Sequence, residues 1–272
     1  MNQPSTPAQF SQFETNVTRQ RVVLLGASNL SIKFPMVVQA ARAMFDAPLE
    51  LVVAKGFGRS YGRESKFFGK KFPGILQSHL WDAIDRAPRL PTTALIADVG
   101  NDLAYEAPAE VIVEWVKTAL DRLAAHEARV VLNNVPLESL RRVGAARYLL
   151  FRKLFFPSCR LSRKEMLRRA EQLGTALEEL ARTRNIPIFS GEIDWYGLDP
   201  IHPRRRASSE IWRRMLAALA PVGGSESPRR VASIGALRLR RLKPCEWREL
   251  GFQRRAAQPC GHCADGATIA LY

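Results

Sequence analysis

The sequence predicts an α/β protein, a flavodoxin-like three-layer α/β/α sandwich on a five-stranded parallel sheet. Three observations carry this. Short apolar, β-branched runs recur between residues 21 and 189, stretches of helical periodicity separate them, and the polar and glycine-bearing clusters fall just after the runs. Strands alternating with helices form βαβ units, whose parallel sheet is covered on both faces. In such folds ligands sit beyond the carboxyl ends of the strands.

The elements follow in order. Residues 21–25 (RVVLL) end in Gly26 and read as a buried strand. A helix is expected over 32–45, with Pro35 tolerated near its first turn. Residues 49–54 form the second strand, and a glycine-rich basic loop, 55–71, follows it. Residues 74–87 read as helix, and 93–97 as the third strand, which runs into Asp98-Val-Gly-Asn-Asp102. Pro108 opens a helix in which Ile112, Trp115, Val116, Ala119, Leu120 and Leu123 make one apolar stripe. Residues 129–132 are the fourth strand, broken by Asn133-Asn134-Val135-Pro136. Two helical stretches come next, the second opening on Ser162-Arg-Lys-Glu165 with the pattern of a capping box. Residues 186–189 are the fifth strand, and 207–219 the last helix of the core.

Composition sets the frame. The chain has 272 residues, 46% of them hydrophobic, enough for a sizeable core without disulfides or metals. Three parts are expected: a polar extension over 1–20, a main domain over 21–220, and a linker with a basic, cysteine-containing tail over 221–272. The polar start and the lack of any apolar run of membrane-spanning length imply a cytoplasmic protein. The net charge of +15 is concentrated in residues 141–169 and 229–272. It suits a solvated basic face or weak, nonspecific binding to an anionic surface; no DNA- or RNA-binding motif is present.

Three clusters carry chemistry, each at a strand end. Ser28, in Gly26-Ala-Ser-Asn29, follows the first strand, where small neighbours permit a sharp turn and a helix start would aim free N–H groups at the same place. Taken alone, such a serine reads as a helix cap. Gly100-Asn101-Asp102 follows the third strand: an asparagine amide can donate to an oxyanion, and the adjacent glycine leaves room for substrate, although the same residues also build ordinary turns. Asp199-Pro-Ile-His202 precedes the last helix, and a carboxylate three residues before a histidine can orient its imidazole.

Together these blocks resemble the SGNH (GDSL-like) hydrolase family over roughly residues 21–219. The resemblance rests on Gly26-Ala-Ser-Asn29, a glycine within Lys55-Gly-Phe-Gly-Arg-Ser-Tyr-Gly62, Gly100-Asn-Asp102 and Asp199-Pro-Ile-His202. It implies the SGNH fold and a serine hydrolase acting on a small-molecule carboxylic ester without a cofactor or metal. Ser28 would be the nucleophile, His202 the base and Asp199 its orienting acid. The oxyanion donors would be the Ser28 N–H, the Asn101 amide and a loop N–H, best placed at Gly58, with Gly56 and Gly62 as alternatives. Asn29, Gly100 and Asp102 would lie near the substrate. Ala27 departs from the family pattern, which has an aspartate before the serine. The alternative is an SGNH-fold protein with an idle or acyl-transferring site that binds nucleic acid or a membrane surface through its basic segments.

Three further stretches stay open at this level. The basic loop, with Lys55, Arg59, Arg63, Lys66, Lys70 and Lys71, suits either an anionic substrate or solvated charge. The run 148–157 (YLLFRKLFFP) reads most plainly as a buried core helix, otherwise as a lid, an acyl-chain wall or a membrane-surface helix. The tail, with Cys260-Gly-His-Cys263 and a strand-like run after Asp265-Gly266, is either disordered or packed on the core; its cysteine pair lacks the second pair that a zinc site needs.

Overall fold

The computed structural model describes residues 19–45, 48–67, 69–219 and 229–272. Most of the expected extension, residue 220 at the end of the main domain and the linker over 221–228 lie outside these. In chain order the elements are β1 (Gln20–Leu25), α1 (Ser28–Met44), β2 (Leu49–Ala54), β3 (Ser65–Phe67), β4 (Lys70–Phe72), α2 (Leu80–Arg86), β5 (Thr92–Ile96), α3 (Ala109–Ala124) and β6 (Arg129–Asn133). Then come α4 (Leu137–Arg141), α5 (Ala145–Phe155), α6 (Arg163–Thr183), β7 (Ile188–Phe189), α7 (Arg205–Ala217), α8 (Ala236–Arg241), β8 (Glu246–Glu249), β9 (Phe252–Arg255), β10 (Gly261–His262) and β11 (Thr268–Leu271).

The five expected strands form a parallel sheet in the order β2-β1-β5-β6-β7, the flavodoxin-like arrangement. Side chains alternate across a strand, and the core divides accordingly. Val23, Leu25, Ala94 and Ile96 face α3 and α6, whereas Val22, Leu24, Leu95 and Ala97 face α1 and α7. Buried strands of this kind must be apolar on both faces, which is why the runs are continuous rather than alternating.

The sheet has seven strands, not five. β11 adds in parallel to the free edge of β2, and β10 pairs antiparallel with β11. Both come from the tail, which is therefore packed. The basic loop also holds structure: its hairpin β3-β4 joins β8-β9 of the tail in a second, four-stranded antiparallel sheet.

Smaller differences have local causes. Helix α1 begins at Ser28 rather than at residue 32, which places Pro35 in the helix interior. Three helices, not two, separate β6 from β7, because a break at Val143-Gly144 divides α4 from α5. Half of the capping box forms: the Ser162 hydroxyl accepts from the Glu165 N–H at 3.1 Å, but the Glu165 carboxylate pairs with Arg168 and Arg169 instead of reaching back. Among the described residues no helix is long and apolar enough to cross a membrane, and no group of three His, Cys, Asp or Glu side chains is arranged to hold a metal. Cys260 and Cys263 donate their N–H groups to Ile269 and Ala267 and so frame the β10-β11 hairpin.

Candidate active site

The carboxyl ends of β1, β5, β6 and β7 meet at one end of the sheet, and the predicted clusters converge there. Ser28 is the first residue of α1, so the helix capped before it carries no serine cap of its own. The His202 Nε2 lies 2.8 Å from the Ser28 Oγ, although 174 residues separate the two in sequence. The His202 Nδ1 lies 2.6 Å from the Asp199 Oδ2. The other carboxylate oxygen, Oδ1, accepts the N–H groups of Ile201 and His202, each at 3.0 Å. Burial alone would raise the Asp199 carboxyl. The His202 imidazole and the two backbone donors outweigh it and hold the group below the usual carboxylate range. The aspartate thus stays ionised and fixes one imidazole nitrogen, leaving the other for the serine.

The scaffold around this chain of bonds is dense. Asp98 follows β5 in a left-handed conformation with φ 61°, which an aspartate tolerates better than most residues. Its Oδ2 accepts from the Ala27 N–H at 2.7 Å and the Leu30 N–H at 3.3 Å, satisfying free donors at the start of α1. This anchors the helix early and explains why it begins at Ser28. The Asp98 Oδ1 accepts from the Asn29 amide at 2.8 Å, and the same amide donates to the Ile201 carbonyl at 3.0 Å. Ser139, on α4, donates to the Pro200 carbonyl at 2.8 Å. The serine turn and the histidine turn are therefore cross-braced by side chains from two other elements. Gly26 lets the turn close: a Cβ there would fall 3.2 Å from the Asp98 carboxylate and 3.1 Å from Leu30.

The remaining predicted residues divide. Asn29, Gly100 and Asn101 line the same cavity as Ser28. The Asn101 amide donates to the Arg59 carbonyl at 3.1 Å, which orients it and leaves its second hydrogen available. Asp102 is not at the cavity: it is fully buried, accepts from the Tyr61 N–H at 2.9 Å and ties the loop after β2 to the turn after β5. Burial pushes its carboxyl up to about 6, against the Ser60 hydroxyl, the Tyr61 N–H and Arg63, which pull the other way. Of the three loop glycines, Gly62 packs on the Trp115 ring so closely that a Cβ would sit 1.9 Å from it. Gly58 has φ +62°, a conformation that favours glycine, and its carbonyl accepts from the Tyr105 hydroxyl. None of the three lines the cavity.

The basic loop turns out to be largely architectural. Arg59 is fully buried and donates to the carbonyls of Pro73, Lys55 and Tyr272. Lys71 pairs with Glu64 and Lys70 with Glu249. The Lys55 ammonium lies 4.5 Å from the Phe34 ring centroid, pushed down to about 8 by burial and then by Arg59.

The cavity itself holds about 160 Å³. Its walls are largely apolar, with Val135, Val143, Phe151, Phe155, Phe156 and Met166 of α6 among the lining residues, and Asp98, Asn101, Asn133, Asn134, Arg152 and Arg163 add polar groups. Helix α5, which supplies Phe151 and Phe155 as a stacked pair at 5.9 Å, buries no residue completely. It is a cavity wall and not the core helix that its apolar run most plainly suggests.

Pattern reasoning missed Asp98 and Ser139 as members of this site. The only available signal was the position of Asp98 at the end of a strand, opening the Asp-Val-Gly-Asn-Asp run.

No protein-family model matches the sequence, and no curated protein matches it. Solved structures do. A carbohydrate acetylesterase from Sinorhizobium meliloti aligns with a TM-score of 0.50 and 12% identity, over 72% of this chain and 97% of that one. A carbohydrate acetylesterase family member from the same organism aligns at 0.47 and 14%, over 75% and 97%. A member of the lipolytic G-D-S-L family from Veillonella parvula aligns at 0.48 and 11%, over 73% and 96%. At such identities the likeness is one of architecture: on the first of these alignments the chain shares that acetylesterase's α/β fold, and its own mostly parallel central sheet is extended by two strands from its tail.

Proposed function

We propose that this protein is a serine hydrolase that cleaves carboxylic esters through an acyl-enzyme on Ser28. The observation that carries the reading is the continuous chain from the Ser28 Oγ through His202 to Asp199, with links of 2.8 and 2.6 Å. A serine hydroxyl is a weak nucleophile until a base takes its proton, and a base works best when a third group holds it in register.

In this reading the Ser28 oxygen attacks the ester carbonyl carbon as His202 accepts the hydroxyl proton at Nε2. The imidazolium is stabilised by the ionised Asp199. The carbonyl oxygen becomes an oxyanion, met by the Ser28 N–H at the start of α1 and by the free hydrogen of the Asn101 amide. Gly58, on the loop whose neighbouring Arg59 carbonyl Asn101 holds, is the candidate for a further backbone donor. His202 then returns the proton to the leaving alcohol oxygen as the C–O bond breaks. Water attacks the acyl-serine by the same route in reverse, giving the carboxylic acid and restoring the serine hydroxyl. The aromatic and aliphatic cavity beside Ser28 supports an acyl group with a hydrophobic part, and a small-molecule ester as the partner.

A fluorophosphonate probe tests the reading. The wild-type protein is expected to be labelled and to hydrolyse p-nitrophenyl esters, and Ser28→Ala to do neither. Labelling that survives in Ser28→Ala, or that never occurs in the wild type, overturns it.

A further inference from the structure

Helix α5 is the only α-helix among the described residues without a buried residue, and its two faces have different environments. Tyr148, Phe151, Arg152 and Phe155, at i, i+3, i+4 and i+7, turn toward the cavity. On the opposite side Leu149, Leu150 and Leu154 are 45, 64 and 60% exposed. A fourth leucine, Leu198, is 81% exposed and follows Gly197, whose carbonyl accepts from Arg147 of α5 at 3.1 Å. Single exposed leucines are ordinary on a protein surface, whereas a group of them on one side of a helix marks a surface that something covers.

Charge decides what kind of partner fits. Between Glu138 and Glu165 the chain has eight Lys and Arg side chains and no acid. Arg142, Lys153, Arg160 and Lys164 are exposed, and none of their side chains is paired with a carboxylate among the described residues, although the Arg160 N–H donates to Glu106. A second copy of a +15 chain would bring the same cations against these. Nucleic acid would meet the cations, but leucines offer its bases no stacking platform. Exposed leucines with Lys153 among them on α5, and further cations without carboxylate partners on the chain to either side, match an interface whose interior is acyl chain and whose surface is anionic.

We propose that the outer face of α5 docks on an anionic lipid surface, with Leu149, Leu150 and Leu154 entering the acyl boundary and the surrounding Lys and Arg side chains meeting the headgroups. Docking of this kind is independent of the Ser28 chemistry. It places one wall of the cavity at the lipid boundary.

Flotation of the full chain with vesicles tests this, using phosphatidylglycerol–phosphatidylcholine mixtures against phosphatidylcholine alone. The wild type is expected to float with the anionic vesicles and to be released as salt rises. Leu150→Ser/Leu154→Ser should weaken partitioning by about tenfold or more. Lys153→Glu, which leaves the leucines in place, should weaken it on anionic vesicles only. Ser28→Ala should bind like the wild type, so loss of ester chemistry and loss of docking are separable. Three results overturn the proposal: no binding to phosphatidylglycerol vesicles, undiminished binding by the leucine variant, or binding lost instead through Arg254→Glu/Arg255→Glu in the tail. Self-association abolished by the leucine substitutions, without vesicle binding, assigns the face to a second copy and also overturns it.

Discussion

Asn29 uses its amide to join the Asp98 carboxylate, at the end of β5, to the Ile201 carbonyl in the histidine turn. In the proposed reading neither bond touches the reacting atoms, which makes Asn29 a positioning residue for the Ser28–His202 pair. Misplacement by about an ångström can cost on the order of a hundredfold in rate. Asn29→Ala should therefore lower kcat by roughly ten- to a hundredfold with KM little changed. Steady-state kinetics on one p-nitrophenyl ester checks this. Unchanged kcat, or a loss confined to KM, would mean that the brace does not set the catalytic geometry. The sequence marked Ser28, Asn101, Asp199 and His202 because their side-chain chemistry is itself informative. Asp98 was not marked because it acts on backbone N–H groups, which every residue carries. Spacing also could not choose among Gly56, Gly58 and Gly62, since what distinguishes them is a ring of α3 seated on Gly62 and a positive φ at Gly58.

At the scale of elements, α5 is where composition and placement part. A run of aromatic and aliphatic residues has the same hydropathy whether it closes a core or walls a cavity, and only the neighbours decide. Here Phe151 and Phe155 face open space beside Ser28. Phe155→Ser should consequently lower kcat/KM for long-chain p-nitrophenyl esters by roughly tenfold while leaving the acetate ester nearly unaffected, as apolar pocket contacts of this size discriminate by about 1–3 kcal/mol. Equal loss across chain lengths would assign Phe155 to folding instead. The strands were more legible than the helices. Residues 22–25, 51–54 and 130–132 are apolar on both faces, as strands of a covered parallel sheet are. The start of α1 was less so: local preference pointed to residue 32, while a carboxylate 70 residues away supplies the cap that lets the helix begin at Ser28.

At the scale of the whole molecule, the tail is an edge of the main sheet. A turn followed by a strand-like run was readable at Asp265-Gly266, but its partner was not, because strand pairing across more than 200 residues leaves no local trace. β11 covers β2 in register from Thr268 opposite Glu50 to Leu271 opposite Val53, and the Tyr272 N–H continues the ladder to the Val53 carbonyl at 2.8 Å. Arg42 of α1, almost fully buried, bonds to the Asp265 carboxylate with its Nη2 at 2.7 Å and to the Ala232 carbonyl at 2.9 Å, fastening the same segment from the helix side. Ile269, 1% exposed, packs in the core with Leu49, Leu51 and Leu239. If the tail is part of the cooperative fold, truncating this side chain removes apolar burial and leaves a cavity, and Ile269→Ala should destabilise the protein by about 2–5 kcal/mol. The Ser28 end of the sheet should be spared in the folded state, so in the proposed reading fluorophosphonate labelling under native conditions should persist. Urea unfolding followed by circular dichroism measures the first and gel labelling the second. A midpoint shift worth less than about 0.5 kcal/mol, the range of an ordinary surface substitution, would mean that β11 is draped on a sheet complete without it; a full shift in one transition would make the tail a structural strand of the hydrolase-like core.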